Sequence, residues 1–512
     1  MSAADRSADV IVVGAGAAGA VVARRLVDAG ARVLLLEAGG PDSSALIADP
    51  RFALDLEGTP EDWGFRTLPQ AHADGRSLYW PRGRVLGGSS SINGMVWMRG
   101  CAADYDHWAY LGNAGWSYAD VLPLLRRIED FDGGPSELRG AGGPIGVISR
   151  YEPHPIARTF LDAAAELGFP SNEDYNGPRP GGAAVTQFSI SDGRRHSAST
   201  AYLAAILDHP NLELVTFAHA RRLLFRGARA IGVEWERDGM VERGVAGTEV
   251  VLAAGVIGSA QLLLLSGVGP ADELARLGIE TRADLPVGEN LHDHVRVPML
   301  FSVERPVAEC APGLAPAQAL ILCPSEPGLA VPDLQLICFT KAMYEPGMEG
   351  PADAFTVGTL LNRPASRGRL RLASADPRMP PLLDPNVLSC SRDLDAVVAG
   401  MRIVRALSAS APFGEWGTRE LYPGPAAGSD AALAGDVRAR MLTTHHQVGT
   451  CRMGVDAGAV VDPQLRVRGI DGLRVADASI MPAVTSGTTY APSVMIGERA
   501  AELIGGAAGR AC

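Results

Sequence analysis

The sequence predicts an α/β protein built on a Rossmann-like, doubly wound nucleotide-binding unit. Three observations predict it. Residues 10–39 run strand, glycine-rich turn, helix, strand, acid. Residues 248–270 repeat strand, turn and helix. The final 70 residues return to strand and turn signals and close on an apolar helix. With 512 residues the chain is long enough for about three domain-sized units.

The opening segment reads VIVVGAGAAGAVVARRLVDAGARVLLLEAG. Gly14, Gly16 and Gly19 permit a tight turn and let the backbone approach a pyrophosphate at a helix N-terminus. Ala17 and Ala18 lie inside that turn. Glu37, followed by Ala38, ends the second strand where a carboxylate can accept hydrogen bonds from ribose hydroxyls. This spacing predicts an adenine dinucleotide and leaves NAD and FAD open.

Residues 40–80 interleave Pro, Asp and Gly as loops, and 81–100 form a Gly/Ser turn before an apolar stretch. SYADVLPLLRRIED, 117–130, reads as an amphipathic helix with a serine cap. The Gly- and Pro-rich stretch 140–190 crosses towards another unit. Helix and strand signals return at 197–217, and a hairpin with turn residues at 226–228 runs to about 250. Residues 296–440 differ in texture: DLQLICF and GRLRLAS read as strands between Pro-rich segments. No solenoid repeat or low-complexity tract appears.

Composition narrows the class. Hydrophobic residues make up 47% and charged residues 20%, with a net charge of −12. There is no Lys/Arg block, which argues against nucleic acid or anionic membranes as partners. The seven cysteines (101, 310, 323, 338, 390, 451, 512) are scattered without C-x-x-C spacing. That argues for a reducing compartment and against a disulfide scaffold or zinc site. The first strand begins by Val10 and no stretch reaches membrane-span length, so a cytoplasmic protein is expected.

Several blocks then coincide: the opening fingerprint with Glu37, RVLGGSSSING (84–94), AAGVIGSAQLLLLSGVGP (253–270), HHQVGTCRMG (445–454) and GLRVADASIMP (472–482). In this order they resemble the glucose–methanol–choline (GMC) oxidoreductases over nearly the whole chain. DGRRHSASTAYL (192–203) and PASRGRLRL (364–372) are similar to the choline dehydrogenase, hydroxymethylfurfural oxidase and pyridoxine 4-oxidase branches. The resemblance selects FAD. It implies an FAD unit from 1–150, 192–295 and 441–512, and a mixed-sheet substrate unit from 151–191 and 296–440. It also implies oxidation of a primary alcohol to an aldehyde, with O₂ or another acceptor taking the electrons.

The resemblance places Arg84, Gly87, Gly88, Ser89, Asn93, Gly94, Met95 and Val96 in a flavin-contacting loop. It adds Ala220, Ala254, Gly255, Asp477, Ala478 and Ala491 as cofactor contacts. Gly87 and Gly88 allow close backbone approach to a planar cofactor, and Asn93 can donate and accept at its edge. Some members attach FAD to a histidine in this loop; Ile92 stands at the matching position, so non-covalent FAD is expected.

His446 matches the family's histidine in H-x-x-G-T, and a neutral imidazole with a pKa near 6.5 suits abstraction of a hydroxyl proton. His445, if the segment is extended, points to the opposite face; it is counted with His446 and Tyr490 among the substrate-pocket residues, with a bridge to the FAD unit and plain packing as its other readings. Tyr490 stands where a second His or Asn is expected. At pH 7 a tyrosine is a neutral donor and acceptor, suited to positioning the substrate oxygen or stabilising an alkoxide. This departure keeps two other family chemistries open, a lyase with structural FAD and a flavin photodecarboxylase. His292-Asp293-His294 has the look of a metal cluster but falls in a loop, LPVGENLHDH, similar to one that packs near FAD; no metal is expected. Cys451 reads as a buried, inert thiol.

Overall fold

The structure is a computed structural model, and it describes residues 6–508. Two seven-stranded sheets dominate it. Their strands, in chain order, are β1 (Arg6–Val13), β2 (Val33–Leu36), β3 (Gly182–Val185), β4 (Leu212–Val215), β5 (His219–Arg226), β6 (Arg229–Arg237) and β7 (Met240–Leu252). Then come β8 (Val295–Ser302), β9 (Ala317–Cys323), β10 (Leu334–Phe339), β11 (Ala354–Leu361), β12 (Arg419–Tyr422), β13 (Leu442–Thr443) and β14 (Leu473–Val475). Five helices matter to the site: α1 (Gly19–Asp28), α2 (Tyr118–Arg127), α3 (Gly255–Leu265), α4 (Ser391–Ser408) and α5 (Tyr490–Ala508).

The first sheet has the order β4-β2-β1-β7-β6-β5, with β14 also on β7. The β4/β2, β2/β1, β1/β7 and β7/β14 pairs are parallel, while β5, β6 and β7 form an antiparallel meander. The chain winds from β1 outward through β2 to β4, then returns to the other side of β1 at β7. That reversal opens a crevice beyond the carboxyl ends of β1 and β7, where such sheets bind nucleotides. β2 and the Val10–Val13 end of β1 are apolar at both faces and buried accordingly.

The Ser117 hydroxyl caps α2, accepting from the Asp120 N–H while Asp120 reaches back to the cap. The closing helix α5 lies against α1. Its Glu498, almost fully buried, pairs with Arg25 at 2.8 Å and accepts from the Tyr202 hydroxyl at 3.1 Å.

The second sheet has the order β12-β8-β11-β10-β9-β3, with β13 also on β8. Its pairings are antiparallel. Leu442–Thr443, assigned from sequence to the nucleotide-binding unit, pairs with this second sheet instead. β9, β10 and β11 are buried along their whole length. Helix α4 covers one face. Gly400 of α4 sits so close to Thr359 that a Cβ there would lie 2.4 Å from its Cγ2. On β10, Leu334 and Leu336 face this helix and the core, whereas Gln335, Ile337 and Phe339 face a cavity between the sheets.

The six cysteines among the described residues are free thiols; Cys512 lies outside them. Among the described residues no helix is long and apolar enough to cross a membrane.

Candidate active site

One cavity of about 570 Å³ runs from the crevice of the first sheet to the side of β10 turned away from α4. That is within the usual range for a small-molecule site. At one end lie Gly14, Gly16, Ala17, Ala18, Glu37, Ala38 and Arg84; along it come Gly88, Ser89, Asn93, Gly94, Met95, Val96, Ala220, Ala254, Gly255, Asp477 and Ala478. His445, His446 and Tyr490 line it further on. Three predicted contacts do not line it. A Cβ on Gly19 would lie 1.9 Å from the Gly14 carbonyl oxygen, so Gly19 lets α1 pack against the turn. Gly87, at φ +85°, makes the loop turn. Ala491 is fully buried behind the wall.

The cavity's narrow end fits a dinucleotide. Gly14 has φ +99°, and a Cβ there would lie 2.5 Å from the Ala253 carbonyl oxygen. A Cβ on Gly88 would lie 2.8 Å from Gly16 Cα, so turn and loop touch backbone to backbone. Gly94 and Gly255 instead face open space. The Glu37 carboxylate accepts from the Ala15 and Gly39 N–H groups at 2.9 and 2.8 Å. Burial nonetheless pushes it up to about 7, so donors such as ribose hydroxyls would stabilise its charged form.

Asp477 does two jobs. One oxygen caps the following turn at the Ser479 N–H, 2.8 Å, and the other accepts from the Gly255 N–H at the start of α3, 3.0 Å. The Oδ1 of Asn93 is taken by the Met95 N–H and Arg195 Nη1, at 3.0 and 2.9 Å.

The His446 end is built from the 292–294 loop and the 443–447 segment. Asp293, 4% exposed, is their clasp: it accepts from the backbone N–H of His446 at 2.8 Å, from Gln447 Nε2 at 2.9 Å, and from the Thr443 hydroxyl. Burial raises its carboxyl to about 6. His292 holds Asn290 O and the Val484 N–H through its two ring nitrogens. The 292–294 triplet thus braces the His446 segment, and each of its members is engaged by protein groups.

His294 Nδ1 lies 3.0 Å from His446 Nδ1, and His294 Nε2 lies 2.9 Å from the Asn362 carbonyl oxygen. A carbonyl only accepts, so His294 carries its proton on Nε2. Burial lowers His294 to about 4, so it is neutral and its Nδ1 is a lone pair. His446 must then donate from Nδ1. The Thr444 hydroxyl supports this tautomer, donating to His294 O at 3.1 Å and lying 3.0 Å from His446 Nδ1. Nε2 of His446 is left as the basic lone pair, without a hydrogen bond to the described residues, on a ring that lines the cavity. Burial lowers the His446 pKa well below 6.5, and the imidazoles and guanidinium groups around it, His294 first, push the same way. The ordinary value suggested by sequence does not hold in this enclosed position.

Two sequence expectations change. His445 lines the cavity beside His446, as its place among the pocket residues has it, but the alternation rule that points the two apart fails. His445 adopts a left-handed φ of +64°, which breaks the alternation. Its Nε2 lies 3.2 Å from Glu57 Oε1. Tyr490 is assigned from sequence to the substrate oxygen; in the structure its hydroxyl donates to the His196 carbonyl oxygen at 3.2 Å. It starts α5, and its ring meets Trp97 edge-on at 5.5 Å, which turns the hydroxyl toward the 190–196 hairpin. Burial raises its pKa further, so it is neutral. Cys451 is fully buried with its thiol pushed up.

The sequence pattern gave no sign of Glu57, Arg296, Gln335, Phe339 or Thr488, all of which line the same cavity. Arg296 had one available signal: it follows His294 by two residues.

The GMC oxidoreductase description matches residues 8–296 and 364–497. The chain is 41% identical to an uncharacterised GMC-type oxidoreductase of Mycobacterium tuberculosis, over 98% of this chain and 99% of that one. It is 38% identical to an oxygen-dependent choline dehydrogenase of Rhizobium johnstonii, over 97% and 95%. It superposes on the crystal structure of pyridoxine 4-oxidase from Mesorbium loti with a TM-score of 0.92 and 33% identity, covering 96% of this chain and 98% of that one.

Proposed function

The chain belongs to the GMC oxidoreductase family and is an FAD-dependent enzyme acting on CH–OH groups; from that premise we propose that it oxidises a primary alcohol to an aldehyde with His446 as the general base. One observation carries this reading: the His294 contact fixes His446 with a free Nε2 inside the cavity that also holds the nucleotide cradle.

Gly14, Gly16, Glu37, the 84–96 loop, Gly255 and Asp477 would hold FAD without a covalent link. Bound there, it supplies a two-electron acceptor for the hydride leaving the carbinol carbon. His446 Nε2 removes the hydroxyl proton. As the imidazole becomes charged, its Nδ1–H stays on His294 and Thr444, which keep the ring from turning. Arg82 and Arg296 act on His446 through space to disfavour its protonation before substrate arrives. Tyr490 shapes the wall near Trp97 and transfers no proton. The FAD unit comprises 1–150, 192–295 and 441–512, and the substrate unit 151–191 and 296–440, apart from the β13 pairing noted above.

Anaerobic mixing with a panel of primary alcohols tests this. Bleaching of the oxidised flavin absorbance, abolished in His446→Ala, is the expected result. Product formed without bleaching would replace the reading with a lyase. A strict requirement for blue light would replace it with a photodecarboxylase.

A further inference from the structure

Arg296 lies near the start of β8, two residues after His294. It lines the cavity shared with His446. Its guanidinium has no carboxylate within ion-pair distance among the described residues. Its Nε is fully buried without a partner, and its Nη1 meets only Met343 Sδ, at 3.9 Å. Its carbon lies 5.7 Å from the centroid of the Phe339 ring. Two carboxylates act on it from a distance, Glu57 and Glu345. Glu57 is already engaged by His445.

A second group beside it is in the same condition. Leu360 on β11 pairs with Arg296 on one side and with Gln335 on the other, so the three stand in one row across the cavity face. The Gln335 amide makes no hydrogen bond to the described residues, and its Oε1 is buried. Phe339, Ile337 and Leu360 supply the apolar surface around these two polar ends. A buried guanidinium left unpaired is strongly unfavourable, and its planar fork matches a carboxylate.

We infer that Arg296, with Gln335, is the binding site for a carboxylate on the substrate, which is an alcohol bearing that anion across an apolar, aromatic-sized spacer. This rests on the alcohol-oxidation reading and names its substrate class. A quaternary ammonium alcohol such as choline meets a like charge here.

The test compares 4-(hydroxymethyl)benzoate, 4-(hydroxymethyl)benzamide and choline with the holoenzyme, and separately titrates benzoate and benzamide, which carry no alcohol, while following the flavin spectrum. The carboxylate should exceed the amide by about tenfold or more in kcat/KM, the scale of a charge-assisted hydrogen bond. Arg296→Ala should erase that ratio and weaken benzoate binding by a similar factor, while Arg296→Lys keeps part of both. Equal kcat/KM for carboxylate and amide, better turnover of choline, or benzoate binding unchanged in Arg296→Ala would each overturn the assignment. The benzoate titration reads Arg296 without any oxidation. Failure of every alcohol to bleach the flavin therefore sinks the oxidation reading and leaves this arm to decide on its own.

Discussion

His294 and His446 face each other through their Nδ1 atoms at 3.0 Å, with ring planes 85° apart. Two imidazoles can meet this way only when one lends a proton and the other a lone pair. The Asn362 carbonyl decides which does which.

That relationship predicts a split between variants. His294→Leu removes the acceptor and frees the His446 tautomer, and should lower kcat about 10- to 100-fold, a part of the roughly 10²- to 10⁴-fold that general-base catalysis contributes. His294→Asn keeps an acceptor near the same place and should recover much of the loss. His446→Ala should be worse than either, by about 10² to 10⁴. Single-turnover flavin reduction measures all three. Equal rates for the Leu and Asn variants would contradict the tautomer role.

The acid limb of kcat/KM should lie below pH 6.5, because burial and neighbouring charge depress His446. Stability should follow a related course. His294 falls from 6.5 when unfolded to about 4 in the fold. Between those values the unfolded chain binds the extra proton, so this contribution is intact above pH 6.5 and is lost as pH falls toward 4. Its slope is roughly 1.4 kcal/mol per pH unit. Melting curves of wild type and His294→Asn from pH 4.5 to 7 should diverge by that slope; parallel curves would refute it.

Tyr490→Phe should change turnover less than about threefold while lowering stability by about 1 kcal/mol, the worth of one hydrogen bond. The hydroxyl donates to the His196 carbonyl oxygen, and on the proposed reading that is its role. A large fall in kcat with unchanged stability would reverse that conclusion.

Gly14→Ala places a methyl 2.5 Å from the Ala253 carbonyl oxygen at φ +99°. The left-handed strain of about 1–2 kcal/mol alone predicts roughly tenfold weaker flavin binding, with the clash adding more. The ratio of flavin to protein absorbance after dialysis is the measurement.

Glu129 is fully buried between Arg99 and Arg139, at 3.2 and 2.8 Å, and also accepts from the Trp97 ring N–H at 3.1 Å. Glu129→Gln leaves the enclosed Arg99 guanidinium without a carboxylate and Arg139 with Asp174 alone. A loss of about 3–5 kcal/mol in chemical denaturation is expected.

The nucleotide end was readable from sequence because its chemistry is local. Gly14, Gly16, Gly19 and Glu37 lie within one strand–turn–helix–strand unit, and their spacing carries the geometry. His446 was readable through its motif. His294, Arg296 and Gln335 were not, because their roles depend on which strands stand side by side. No periodicity in 296–440 states that β8 pairs with β11, and β11 with β10. For His445 the pocket was legible and the direction was not: alternation presumes extended backbone, and one left-handed residue breaks it. Tyr490 was located by position along a motif, which says nothing about where a hydroxyl turns.

On β10 the duties of neighbouring residues are divided by the pleat. Leu334 and Leu336 pack beneath α4, while Gln335, Ile337 and Phe339 look into the cavity. Every second position can therefore be rewritten to admit a different alcohol without disturbing the layer that keeps the sheet folded. A single strand gives this scaffold one column of text for substrate choice and another for durability, and each can drift or be redesigned on its own.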